Sequence, residues 1–100
     1  MSSRTDTDLE DIDIAVFSKE HPPKHAAILK RGNHEIQLGR FKITPSLPKS
    51  HFDIKEVKEE IDVKYKRQIA AWAGKNNAHI KGYTNWAALD VEWNILNPKY

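Results

Sequence analysis

Gly32-Asn33 stands between two apolar runs, and a chain with that two-residue signal is committed to a β-hairpin before anything else is decided. Primed turns need positive φ at one or both central positions, and Gly and Asn adopt it with little strain. With Arg31 and His34 flanking the turn, Lys30 faces Glu35, Leu29 faces Ile36 and Ala27 faces Leu38. That register predicts Ala27, Leu29, Ile36 and Leu38 on one buried face, in one core with Val57, Tyr65 and Trp72. Past Leu38 the apolar phase passes to Phe41 and Ile43, so Gly39 is the expected position of a β-bulge.

The hairpin is entered through His21-Pro22-Pro23-Lys24-His25. Two prolines fix φ and remove two backbone donors, which predicts an extended entry. A polyproline-like rise would set the Cα atoms of His21 and His25 roughly 12 Å apart. Shared coordination by these histidines with Glu20 or Glu35 is therefore disfavoured, and neither a metal site nor a cofactor is predicted.

One hundred residues suit a single domain with one core. There is no cysteine, which excludes disulfides, thiolate zinc sites and a cysteine nucleophile and suits a cytoplasmic location. No apolar run has the length of a membrane span, and the first residues lack the apolar segment of a signal peptide. No membrane partner is expected.

Charge is unevenly spread. Residues 1–13 hold five acids against Arg4, a net of −4, which leaves +6 for the other 87 residues of a chain whose formal charge is +2. Residues 1–11 read as a disordered acidic leader and 12–100 as one domain. The hairpin region is basic, with Lys24, Lys30, Arg31, Arg40 and Lys42. A solvated sheet face explains this as simply as a phosphate-binding one does.

Ile12, Ile14 and Val16 alternate with Asp13 and Ala15, so residues 12–18 form the first strand. Thr44 to Ser50, with Pro45 and Pro48, leaves the sheet as a loop. Asp53 then resembles a helix N-cap, Glu56 completes a capping box, and Phe52 with Val57 makes a hydrophobic staple. Ile54, Val57, Ile61, Tyr65, Ile69 and Trp72 keep one helical stripe. This predicts either a single helix from Ile54 to Ala73, about 30 Å long, or two pieces broken at Ile61-Asp62 with Asp62 as the second cap. Glu60–Lys64 and Asp62–Lys66 would add outer ion pairs, and Gly74 a left-handed C-terminus. Thr84 or Asn85 caps a second helix with Trp86, Leu89, Trp93 and Leu96 on one side, ended by Pro98. The three tryptophans belong to the core rather than to a base-stacking platform. The fold class is α+β, a small antiparallel sheet of strand plus hairpin covered on one face by two helices.

The HPPKHAAI segment, the Gly-Arg-Phe hairpin exit, Leu47-Pro48, Ile69 through Trp72-Ala73 and Asn85-Trp86 resemble a family of small bacterial proteins. That family, a domain of unknown function, is recognised by a histidine–proline–proline–histidine-type start and a later Asn-Trp. The resemblance covers roughly residues 14–97 and implies His21, Pro22, Pro23 and His25 as signature positions. It also implies a toxin–antitoxin-type cassette with a small protein partner encoded nearby. Lys24-His25-Ala26 departs from the His-aromatic-His run common in the family.

Two functions follow from these residues. The first is an RNA-directed module, in which Lys24, Arg31, Arg40 and Lys42 hold phosphates. As a metal-free ribonuclease it would use His25 and His34 as acid and base with Arg31 and Arg40 as cations, because the expected register sets His25 opposite Arg40 and His34 opposite Arg31. The second is a non-enzymatic protein-interaction module, a cassette partner or phage-related regulator, working through the leader or a sheet edge.

Overall fold

The computed structural model describes residues 2–5 (backbone alone), 9 and 11–98. Strands β1 (Ser2–Thr5), β2 (Ile12–Phe17), β3 (His25–Lys30) and β4 (Asn33–Lys42) lie in that order in one antiparallel sheet. Helices α1 (Val63–Ala73) and α2 (Asn85–Leu96) follow, so the chain has the expected α+β fold.

Alternation in β2 sends Ile12, Ile14 and Val16 to the helical side, where they meet Ala26, Ile28, Phe41 and Ile43 of the hairpin. The helices close this core with Ile69, Trp72, Trp86, Leu89 and Trp93, and all three tryptophans are buried together there. The indole N–H of Trp86 donates to Thr44 O at 2.9 Å, which pins α2 to the strand exit.

The leader differs from expectation. Ser2–Thr5 pairs with β2 as an edge strand, and Leu9 is buried in the main core. The rest of the acidic stretch, apart from Asp11, lies outside the described residues.

The hairpin register differs as well. The turn residues are Arg31 and Gly32, with Gly32 at φ 90°, and Lys30 pairs with Asn33. Leu29 then pairs with Gln37 and Ile28 with Gly39, so β4 carries extra residues, including a bulge at Leu38-Gly39 where one was expected. As a result Ile28, not Leu29, joins the helices. Leu29 packs with Ala15 and Ala27 on the opposite sheet face, and Ile36 is 40% exposed. The physical reason is that β3 is a central strand apolar on both sides, so its alternation does not say which side the helices cover.

The expected long helix is interrupted. Its first part is a 3₁₀ turn, His51–Asp53, and an extended segment; the second part is α1 with Asp62 as its cap, accepting from Lys64 N at 3.0 Å. Residues 55–57 run along the outer edge of β4, where Lys42 N donates to Lys55 O and Val57 N to Arg40 O. Those sheet bonds replace the helical ones, and Lys58, at φ 70°, turns the chain away. Asp53 closes the turn by accepting from the N–H groups of Lys49 and Ser50. Phe52 is 77% exposed and forms no staple. Lys66 pairs with Glu56 at 2.8 Å rather than with Asp62, and this tethers the extended segment to α1.

Gly74 is right-handed, φ −82°, not left-handed. The Trp72 carbonyl at the end of α1 instead accepts from Lys75 N and from the buried Asn85 side chain at 2.8 Å. Asn77 shapes the following loop by accepting from His79 N and Ile80 N, and Thr84 caps α2 through Ala87 N.

Candidate nucleic-acid interface

The sequence-predicted residues divide among four places. At the start of β3, Pro22 and Pro23 form a bend with a cis peptide between them, rather than a polyproline-like extension. His21, Pro22 and Pro23 are exposed. His25 is 7% exposed: its Nδ1 donates to Pro23 O at 2.8 Å, its Nε2 lies 3.7 Å from Glu20 Oε2, and its ring packs 5.1 Å from that of Trp93. Its cross-strand neighbour is Lys42, not Arg40.

Lys24 points to α2, where its Nζ bonds Asp90 Oδ1 at 2.8 Å beside a groove of about 620 Å³. Arg40 pairs across from Ala27, on the sheet face away from the helices, and Lys42 follows two residues on. Neither Arg40 nor Lys42 makes an ion pair among the described residues.

Arg31 and His34 are brought together at the hairpin turn by a residue that the sequence reading did not single out. Asp13, 7% exposed on β2, accepts from Arg31 Nε at 3.3 Å and Nη2 at 3.1 Å through Oδ1, and from His34 Nε2 at 2.7 Å through Oδ2. Burial alone would raise the Asp13 carboxyl, but the His34 and Arg31 hydrogen bonds and their charges outweigh it and hold the pKa below the ordinary value. Alternation with Ile12, Ile14 and Val16 says only that Asp13 takes the other face of the strand. The signal that could have found it is its rarity, since Asp is depleted in strands.

The two histidines do not converge. They lie toward opposite ends of β3, about 17 Å apart at the ordinary strand rise. The acid–base pair required by a two-histidine ribonuclease is therefore not assembled. What remains at the turn is one imidazole oriented by a carboxylate.

The turn also borders a cleft of about 420 Å³ between the hairpin and the amino end of α1. Lys30 and Arg31 enter it from the hairpin and Lys64 from the first turn of α1, against one carboxylate, Asp11. Tyr65 forms one wall, with Lys64 Nζ 5.0 Å from its ring centroid, and the aliphatic side chains of Ile36 and Leu38 form another. The assembly follows from the fold. Alternation puts Lys30 on the same side as Ile28, and the Asp62 cap starts α1 beside it. The partial positive charge of a helix amino end adds to the three cations. Lys30, Lys64 and Tyr65 were not among the expected site residues, because their proximity depends on where α1 begins.

Among the described residues no group of three His, Asp or Glu side chains is placed to hold a metal, and no helix is long and apolar enough to cross a membrane. Together these features define a small α+β protein with a basic, aromatic-walled cleft at its hairpin turn. No family model, curated protein or solved structure matches the chain.

Proposed function

We propose that the chain is a binding component that holds single-stranded RNA in the cleft at the hairpin turn. The observation that carries this reading is the convergence of Lys30, Arg31 and Lys64, from two separate elements, around Tyr65. Cations that follow a phosphate backbone beside an aromatic face are the elements of sequence-tolerant single-strand binding. Arg31 is already held by Asp13, which fixes its position, while Lys30 and Lys64 make no ion pair among the described residues. The separation of His25 from His34 supports binding without cleavage. A cassette role of toxin–antitoxin type rests on the His21-to-His25 and Asn85-Trp86 resemblance, and a small partner protein is the companion it proposes.

The test is fluorescence anisotropy with labelled single-stranded RNA, comparing the parent with Lys30→Ala, Lys64→Ala and Tyr65→Ala. Each should weaken binding severalfold, and the RNA should remain intact with a metal chelator present. Equal affinity in all four proteins would remove the cleft from the reading. Cleavage lost in His34→Ala would restore an enzyme centred on the Asp13-oriented imidazole.

A second reading has its own observation. Among the described residues no strand pairs with the outer edge of β4 between Asn33 and Gln37, although residues 55–57 cover the edge farther along. An open edge bearing an exposed Ile36 suits strand addition by a partner protein.

A further inference from the structure

The turn from Lys49 to Ile54 holds an aromatic side chain out in solvent. Phe52 is 77% exposed, the most exposed large apolar side chain of the described residues, and its ring lies against that of His51 with centroids 4.0 Å apart. Phenylalanine is among the residues most often buried, yet the core takes nothing from this ring. The backbone beneath it is fixed. Asp53 Oδ2 accepts from Lys49 N at 2.9 Å and Ser50 N at 3.3 Å, and Lys55 Nζ donates to Phe52 O at 3.4 Å.

The residues on either side of this ring pair line a cleft of about 430 Å³, to which Lys49 and Lys55 bring positive charge. Neither lysine makes an ion pair among the described residues. The one carboxylate of the lining, Asp53, already accepts two backbone N–H groups. An apolar partner surface would desolvate two ammonium groups without neutralising them. A simple anion would leave the ring bare. A nucleotide satisfies both features, since single strands are held by bases stacked on aromatic side chains beside cations. We propose that this turn is a second contact for single-stranded RNA, with a base on Phe52 and the neighbouring phosphates at Lys49 and Lys55. The proposal rests on the RNA reading of the hairpin cleft and extends its footprint. Leu38 lines that cleft, and Lys42, four residues along β4, donates its N–H to Lys55 O. Four residues of strand are about 13 Å. One strand reaching both places falls within the footprint of about 4–16 nucleotides seen for single-strand binding folds.

The test uses the full chain and two labelled single-stranded RNAs, of about four and about sixteen nucleotides. The short strand fills the hairpin cleft alone, and the long one reaches the turn. Phe52→Ala should weaken the long strand about tenfold or more, the worth of one base stack, and leave the short strand unchanged. Phe52→Trp should keep the parent's affinity, whereas Phe52→Leu, apolar without a stacking face, should bind as weakly as Phe52→Ala. Lys49→Ala should flatten the salt slope of the long strand by about 0.7 and not that of the short one. Because the side chain is exposed, all three Phe52 variants should keep the parent's circular dichroism spectrum and melting temperature. Binding of both strands with Phe52→Ala equal to the parent overturns the second contact and leaves the hairpin cleft standing. Binding of neither strand is the failure of the cleft reading and takes this proposal with it. Phe52→Leu binding like the parent overturns base stacking. Vesicles of phosphatidylserine and phosphatidylcholine that bind the parent but not Phe52→Ala, with long-strand affinity unchanged, overturn the proposal and assign the turn to an anionic membrane surface.

Discussion

His34 Nε2 donates to Asp13 Oδ2 across 2.7 Å, joining the far side of the hairpin turn to the neighbouring strand β2. Arg31 takes the other oxygen of the same carboxylate. The turn that displays the proposed binding cations is thus locked onto the sheet by an ionised group. That gives the lock a definite pH dependence. The folded-state pKa is depressed, so its stabilisation is present above the ordinary carboxylate pKa, about 3.9, and is lost as pH falls through the folded value. Asp13→Asn should therefore cost about 1.5–3 kcal/mol near neutrality. The deficit should begin to shrink below about pH 4 and vanish only as pH falls through the depressed folded-state value, where the folded parent's carboxyl is neutral too. Urea midpoints of both proteins at neutral and acid pH check this, and a deficit that grows in acid would contradict it.

Trp72 is 1% exposed among core side chains of both layers. Trp72→Ala should cost about 3–5 kcal/mol through lost burial and a residual cavity. Phe52→Ala, at a residue 77% exposed, should stay within about 0.5 kcal/mol of the parent. Chemical denaturation of the two variants side by side gives the comparison.

Gly39 has φ +151°, and a Cβ there would lie 2.8 Å from Ile61 Cγ1. Gly39→Ala should lower stability by about 1–3 kcal/mol. Part of that loss is a clash with one side chain, so Ile61→Ala and Gly39→Ala together should destabilise less than the sum of the single changes. A double-mutant cycle by urea denaturation measures the coupling, and strict additivity would remove the contact.

Asn85 bridges the end of α1 and the loop before α2, donating to Trp72 O at 2.8 Å and accepting from Asn77 Nδ2 at 3.1 Å. Asn85→Ala takes the acceptor from the buried Asn77 amide and one of the donors from Trp72 O, and should cost about 1–3 kcal/mol. Asn85→Asp keeps the size but loses the donor to Trp72 O, so it should not rescue the loss. Thermal melts of both variants check this.

Where periodicity and a single cap agree, the sequence was legible. The existence of a hairpin in this stretch, a cap at Thr84 (one of two candidates with Asn85), the inward stripe of α2 and the buried tryptophans agree with what residue types alone indicate. The stripe from Ile54 to Trp72 misled because a helical repeat of apolar residues can be met by separate elements. Ile54 and Ile61 reach the core from an extended segment that bonds to β4, and only the part after Asp62 is helical. The hairpin register failed for a different reason. Bulges add residues to β4 alone, and each unmatched residue changes which face later side chains take. The candidate site inherited that error: His25 was set opposite Arg40, whereas the cleft depends on Lys30 and Lys64, which become neighbours only through tertiary packing.

The salt dependence of RNA binding tests the central claim most directly. Three phosphate contacts predict a log–log slope of affinity against salt of about −2 for a single strand, each contact contributing about 0.7. Lys30→Ala and Lys64→Ala should each flatten the slope by about that amount. Arg40→Ala and Lys42→Ala, on the other sheet face, should leave it unchanged. Titration of labelled single-stranded RNA at three salt concentrations gives all five slopes. No binding at low salt, or a slope that flattens in the Arg40 and Lys42 variants while the Lys30 and Lys64 variants keep the parent's, would contradict the cleft as the RNA site.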